Sequence, residues 1–233
     1  MKSHYQNLMS DIRGVYELFS KNATLNTDLE IKYLHNLIPD LERSHAMTGG
    51  TLESLIQAIS HAAKLGLTLS PDKGLATLSA ITTSNNSLEY YLDVPLAGIK
   101  VTMSRITEYK LAYLDVVTGD DGIGWSGDVF GTNCPAKAPV KNEMIKGAIC
   151  IIEVPNGDSL VTTITIRELK ELSRLSSGDL KSLSPEFAKR HVFKRALKNL
   201  IAPPRSLMSE LQQATKDIDI ALFNHNREFS TQA

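Results

Sequence analysis

Five cations stand within ten residues of one another, Lys189, Arg190, Lys194, Arg195 and Lys198, inside the stretch SPEFAKRHVFKRALKNLIAPP from Ser184 to Pro204. At about 100° per residue Arg190, His191, Lys194, Arg195 and Lys198 gather on one side of a helix, while Val192, Phe193, Ala196, Leu197 and Leu200 gather on the other. Lys189 falls with the apolar set, so it must snorkel, sit at a helix edge or reach into a groove. Glu186 is the single carboxylate of the stretch, so the i+4 partners that normally neutralise an exposed helix are almost missing from it. Such a stripe is what a polyphosphate backbone neutralises, and a merely solvated face is the bland alternative.

Other chemistry has less footing. Gly122, Gly124 and Gly127 satisfy the spacing of a dinucleotide-binding turn, but Asp120, Asp121 and Asp128 surround them, and three carboxylates repel a pyrophosphate. The same acids could hold a divalent ion for nuclease chemistry; a solvated turn is the favoured reading, and a weak Mg²⁺ site there is the one cofactor left open. No GxxxxGK[ST] loop is present, no serine or cysteine sits in a nucleophile elbow, and Cys134 and Cys150 form no zinc pattern. The sequence reads as that of a protein that is not an enzyme, with no catalytic residue and no resident metal.

The elements that must position the basic stripe follow from periodicity and punctuation. Ser184 as N-cap, Pro185 in the first turn and two prolines past the end bound the helix itself. Upstream, Leu8, Ile12, Val15 and Phe19 mark one helix. Ile31, Leu34 and Ile38 mark a second, capped by Asp28 and stopped by Pro39, and the pair is expected to pack on the next domain or on a neighbouring subunit. Leu52, Leu55, Ile56, Ile59, Ala62 and Ala63 give a broad apolar stripe ending at Gly66 in the C′ position, with His61 as a partly buried, hydrogen-bonded side chain. Strands are expected at 75–82 and 88–94 as a hairpin, at 110–117, and at 146–154 and 159–164 around a two-residue Asn156-Gly157 turn. A short helix follows Pro95, a capping box of Thr165 and Glu168 opens another helix, and residues 118–142 read as a long loop or an irregular hairpin. Hairpins dominate and no β-α-β alternation is present. The expected fold is therefore α+β, an antiparallel, hairpin-rich sheet packed with helices, with helical N-terminal and C-terminal extensions. The expected divisions are a helical lobe over 1–48, a core over 49–204 and a C-terminal helix and tail over 205–233.

Composition sets the frame. The chain has 233 residues, 42% of them hydrophobic, and a net charge of −1. The span from Lys181 to Arg205 carries seven basic residues against one acid, so the rest of the chain is acidic and the overall charge says little about a partner. Two cysteines, no apolar leader and no long apolar run lead to the expectation of a cytoplasmic protein with no membrane segment.

From about Thr51 to Pro203 the chain resembles the RecT/Redβ family of phage-type single-strand annealing proteins, in its RecT-like branch. The resemblance rests on SLIQAISHAAKLGL, on PLAGIKVTMSR after the hairpin, on ITIRELKELSRLSSG, and above all on PEFAKRHVFKRALKNLIAP, in that order. The chain departs from the family at Ala97, where an arginine is usual, and around Arg105-Ile106. What the resemblance implies is ATP-independent annealing of complementary single strands in DNA recombination. It implies an oligomeric ring or filament holding single-stranded DNA and the annealed duplex, alongside a partner exonuclease. Carried over by residue, it puts Lys189, Arg190, Lys194, Arg195 and Lys198 at the DNA backbone, with Arg105 and Lys100 beside them. Trp125 and Phe130 either stack on bases or pack, in the core or on a neighbouring subunit. The competing expectations are a scaffold protein that docks an acidic partner on the same helix and, less favoured, a metal-dependent nuclease.

Overall fold

The computed structural model describes residues 2–19, 25–44, 52–82, 87–118, 145–177 and 183–216. Among them the fold is α+β, with two antiparallel sheets where a single one was expected. The chain divides into two compact units, residues 1–106 with 201–233, and residues 107–200. These boundaries differ from divisions after residues 48 and 204, because the first helix and the C-terminal helix both meet the helix over Leu52–Leu65.

In the first unit, α1 (Lys2–Phe19) packs on both α2 (Thr27–Ser44) and α3 (Leu52–Leu65), and Ile12, Tyr16, Leu34, Ile38, Leu55, Ile59, Ala62 and Ala63 are buried on the three helices. Within the chain, the N-terminal pair meets the following segment through α1 against α3. Asn26, not Asp28, caps α2: its Oδ1 accepts from the amides of Asp28 and Leu29 at 3.1 and 3.2 Å. Pro39 does not stop α2 but lies inside it. A proline there costs about 3 kcal/mol, and the burial of Leu34 and Ile38 on the same helix opposes that cost. Glu30 is buried on α2 and ties it to the segment after α3, its carboxylate accepting from the Thr68 hydroxyl and, at 2.9 Å, from the Leu69 amide.

Gly66 ends α3 as the sequence suggests. Its φ is +62°, and the amides of Gly66 and Leu67 donate to Ala63 O and Ala62 O at 3.1 and 3.0 Å, which closes the helix with a left-handed residue that only glycine adopts without strain. His61 is buried and hydrogen-bonded as expected, its Nδ1 2.6 Å from Glu210 Oε1. Glu210 lies on α7 (residues 207–216), so the C-terminal helix belongs to this core, with Met208, Leu211 and Ala214 buried beside it. Burial pushes the Glu210 carboxyl up, but hydrogen bonds and charge from His61 and Lys64 outweigh it and hold the group below the usual range. β1 (Thr77–Thr82) and β2 (Leu88–Asp93) form the expected hairpin, Thr82 opposite Leu88, and α4 (Leu96–Met103) follows Pro95.

In the second unit, β3 (Lys110–Thr118), β4 (Ile145–Glu153) and β5 (Ser159–Thr165) form an antiparallel sheet in the order β3-β4-β5. Every β4 residue from Gly147 to Ile152 is buried, so this central strand is covered on both faces. The β4–β5 turn has three residues, not two. A two-residue turn at Asn156-Gly157 would need an amide hydrogen on Pro155, which has none; instead Val154 N donates to Asp158 O and Gly157 N to Val154 O, both at 2.9 Å. Gly157 takes φ +85° as the bulge residue. α5 (Ile166–Ser177) and α6 (Pro185–Lys198) pack on this sheet. No helix among the described residues is long and apolar enough to cross a membrane.

Cys150 is fully buried in β4, and burial pushes its thiol up to about 12. It is therefore an inert core residue. In a Cys134→Ser protein, an aromatic disulfide reagent at pH ~8, near the ordinary thiol range, should detect no thiol in native buffer and one after denaturation; reaction in native buffer would contradict the packing of β4.

Candidate nucleic-acid interface

The basic stripe lies on α6, and its boundaries follow the sequence signals. Ser184 is the N-cap, its Oγ accepting from Phe187 N at 3.1 Å, and Pro185 sits in the first turn where its missing amide hydrogen costs nothing. At the other end Asn199 and Leu200 donate to Ala196 O and Leu197 O at 3.1 Å, tightening the last turn. Arg195 and Lys198 occupy that last turn, where cations complement the helix dipole. The helix packs against β3, β4 and β5, and Ala188, Val192, Phe193, Ala196 and Leu197 are buried along it.

The cations are distributed less simply than a helical wheel predicts. Lys194, expected on the solvent side, is buried at 4% exposure. Binary patterning marks which side chains prefer burial, not how much of the helix is covered, and here the covered arc extends beyond the apolar stripe. Lys189 reaches from the helix edge to Asp115 on β3, Nζ to Oδ1 3.0 Å, and both side chains keep about a quarter of their surface (26% and 24%). Arg195 makes two fixed contacts: Nη2 lies 2.9 Å from Glu168 Oε1 on α5, and Nη1 donates to Thr163 O on β5 at 3.0 Å. Arg190 and His191 are half-buried, with the His191 ring 4.3 Å from that of Phe187, and Lys198 is exposed. The neutralising carboxylates missing from the helix thus arrive from neighbouring elements for two of its cations.

Glu168 links the site to the cap of α5. Its Oε2 accepts from Thr165 N and Thr165 Oγ1, each at 2.8 Å, and Glu168 N donates back to Thr165 Oγ1 at 3.3 Å, the reciprocal capping box expected from the sequence. The Arg195 hydrogen bond foremost, then those from Thr165, hold its carboxyl down at about 2. A depressed pKa contributes stability that is present above the unfolded value, near 4.5, and lost as the pH falls toward 2. Chemical denaturation of the wild type and Glu168→Gln across that window should show a steeper acid decline for the wild type, the two curves converging at the acid end. Parallel curves would mean that the carboxylate is not held by Arg195.

Lys100 and Arg105 belong to the first unit, apart from the α6 cations in the chain's division. Lys100 is exposed on α4. Arg105 caps α3: its Nη1 donates to Leu65 O at 2.8 Å and Gly66 O at 3.2 Å, satisfying carbonyls that the helix end leaves open. Trp125 and Phe130, the glycines at 122, 124 and 127, and Asp120, Asp121 and Asp128 lie outside the described residues. Among the described residues no group of three or more His, Cys, Asp or Glu could hold a metal ion.

Asp115 and Glu168 were missed as partners of the cations. Asp115 had a signal, a lone acid in the middle of a strand-like run. Glu168 had one too, since a capping-box carboxylate uses one oxygen locally and leaves the other for a cation. No model of a known protein family matches the sequence, and no curated protein does.

Proposed function

We propose that the protein binds single-stranded nucleic acid along its phosphate backbone through α6 and promotes pairing of complementary strands without nucleotide hydrolysis. The observation that carries this reading is a capped, sheet-anchored helix on which Lys189, Arg190, Arg195 and Lys198 all keep exposed or partly exposed positions while its apolar side is buried. Annealing requires the backbone to be held while base edges stay free to test a second strand, and Lys and Arg on a rigid element suit that task. Lys194 supports the helix from within and is not a contact in this reading; Arg105 is a structural cap, and Lys100 is a separate candidate contact. The resemblance to the RecT/Redβ family extends the proposal to a DNA recombination role, a ring or filament of this chain and a partner exonuclease.

A second reading has its own observation. Asp115 and Glu168 show that α6 accepts carboxylates at hydrogen-bonding distance, so an acidic protein surface could be its partner. A strand-pairing assay separates the two: with complementary oligonucleotides and no ATP, the annealing reading predicts faster duplex formation with protein than without. No acceleration and no gel shift would leave the scaffold reading.

A further inference from the structure

The geometry points to Asp115 and Glu168 as built-in competitors of phosphate: in the unbound protein they occupy Lys189 and Arg195, and a nucleic-acid strand binds by exchanging its phosphates for these two carboxylates. This rests on the proposed backbone reading of α6 and adds a regulating element to it. Both pairs are charge-assisted contacts, 3.0 Å for Lys189 Nζ to Asp115 Oδ1 and 2.9 Å for Arg195 Nη2 to Glu168 Oε1, the distance at which the same donors take a phosphate oxygen. Neither pair is sealed from solvent. The four side chains keep between 24% and 40% of their surface, so an incoming anion can reach the cations without unpacking α6.

The carboxylates come from different elements, and each is held by a second bond of its own. Asp115 Oδ1 accepts from Val116 N at 2.8 Å, and Glu168 Oε2 is engaged by Thr165. Both would therefore stay in place after losing their cation, close to the phosphate that displaced them. An acid retained beside a bound phosphate repels it or takes up a counter-ion, which lowers both affinity and net ion release. The consequence is weak holding of any one strand, which suits a protein that must let strands slide and re-pair.

The test compares the wild type with Asp115→Asn, Glu168→Gln and the double variant, using fluorescent oligo-dT and polarisation across a salt series. Gln retains the capping box, so α5 keeps its start, and circular dichroism with denaturant unfolding checks each fold. The double variant should bind at least about threefold tighter at 0.1 M salt, with a slope of log affinity against log salt steeper by up to about 1.4, or 0.7 for each exchanged contact. Asp115→Asn leaves the cap of α5 untouched and should shift in the same direction by itself if the double variant folds poorly. Unchanged or weaker binding by folded variants would overturn the exchange and make the carboxylates positioning residues. A wild-type protein that does not bind oligo-dT at any salt would overturn the backbone reading itself, and the exchange with it.

Discussion

Gly98→Ala is expected to abolish cooperative folding of the first unit. A Cβ at this position in α4 would lie 1.9 Å from the carbonyl oxygen of Leu75 and 2.9 Å from Val94 Cγ1. The first of these is backbone, fixed just ahead of the β1–β2 hairpin, so it cannot swing aside as a flexible side chain would. Relief requires moving α4, which buries Ile99 and Met103, and the loss should exceed the roughly 1–3 kcal/mol usual for overpacking. Gly147→Ala makes a comparable demand in the second unit, with its Cβ 2.5 Å from Ile164 O across the β4–β5 ladder. Gly14→Ala is the matched control: nothing lies within 4 Å of the added carbon in α1, and alanine should gain up to about 1 kcal/mol of helix propensity there. Urea denaturation of the three variants reads the comparison directly. Wild-type stability of Gly98→Ala would contradict the seating of α4 against Leu75.

Phe193→Ala should cost about 3–5 kcal/mol, the range for removing a large buried ring. Phe193 is fully buried on α6, among the largest such side chains of the protein, and the helix lies on all three strands of its sheet. The cavity would loosen the seating of α6 on its sheet and with it the fixed presentation of Lys189, Arg190, Arg195 and Lys198, so strand binding should fall together with stability. Lys198→Ala, on the exposed side of the same helix, should leave stability within about 0.5 kcal/mol and lower strand affinity. The pair separates the scaffold of the site from its contacts. A Lys198→Ala protein with wild-type binding would remove that residue from the interface.

Local chemistry was the legible part of this chain. Ser184-Pro185 bounds α6, Thr165 and Glu168 build the capping box, and Gly66 closes α3, because each signal needs only residues within a turn of one another. What depends on distant partners was not legible. Pro39 was read as a stop because proline breaks an isolated helix, whereas the burial of Leu34 and Ile38 keeps α2 going past it. The Asn-Gly pair signals a two-residue turn, but the missing amide hydrogen of Pro155 beside it decides for three. Lys194 was placed in solvent because a wheel assigns faces by type, not by how much of the helix its surroundings cover. Arg105 caps α3, a role set by two carbonyls about forty residues upstream that no local spacing announces. The carboxylates facing Lys189 and Arg195 lie on β3 and α5, beyond any spacing rule on α6.

The central claim is that α6 holds a phosphate backbone, and the salt dependence of single-strand binding tests it most directly. Affinity for oligo-dT should be measured from low to moderate salt for the wild type and for the double variant Arg190→Ala, Lys198→Ala, with folding checked by denaturation. The account predicts a wild-type affinity that falls steeply with salt and a double-variant slope shallower by about 1.4, or 0.7 for each phosphate contact removed. An identical slope in the two folded proteins would contradict it.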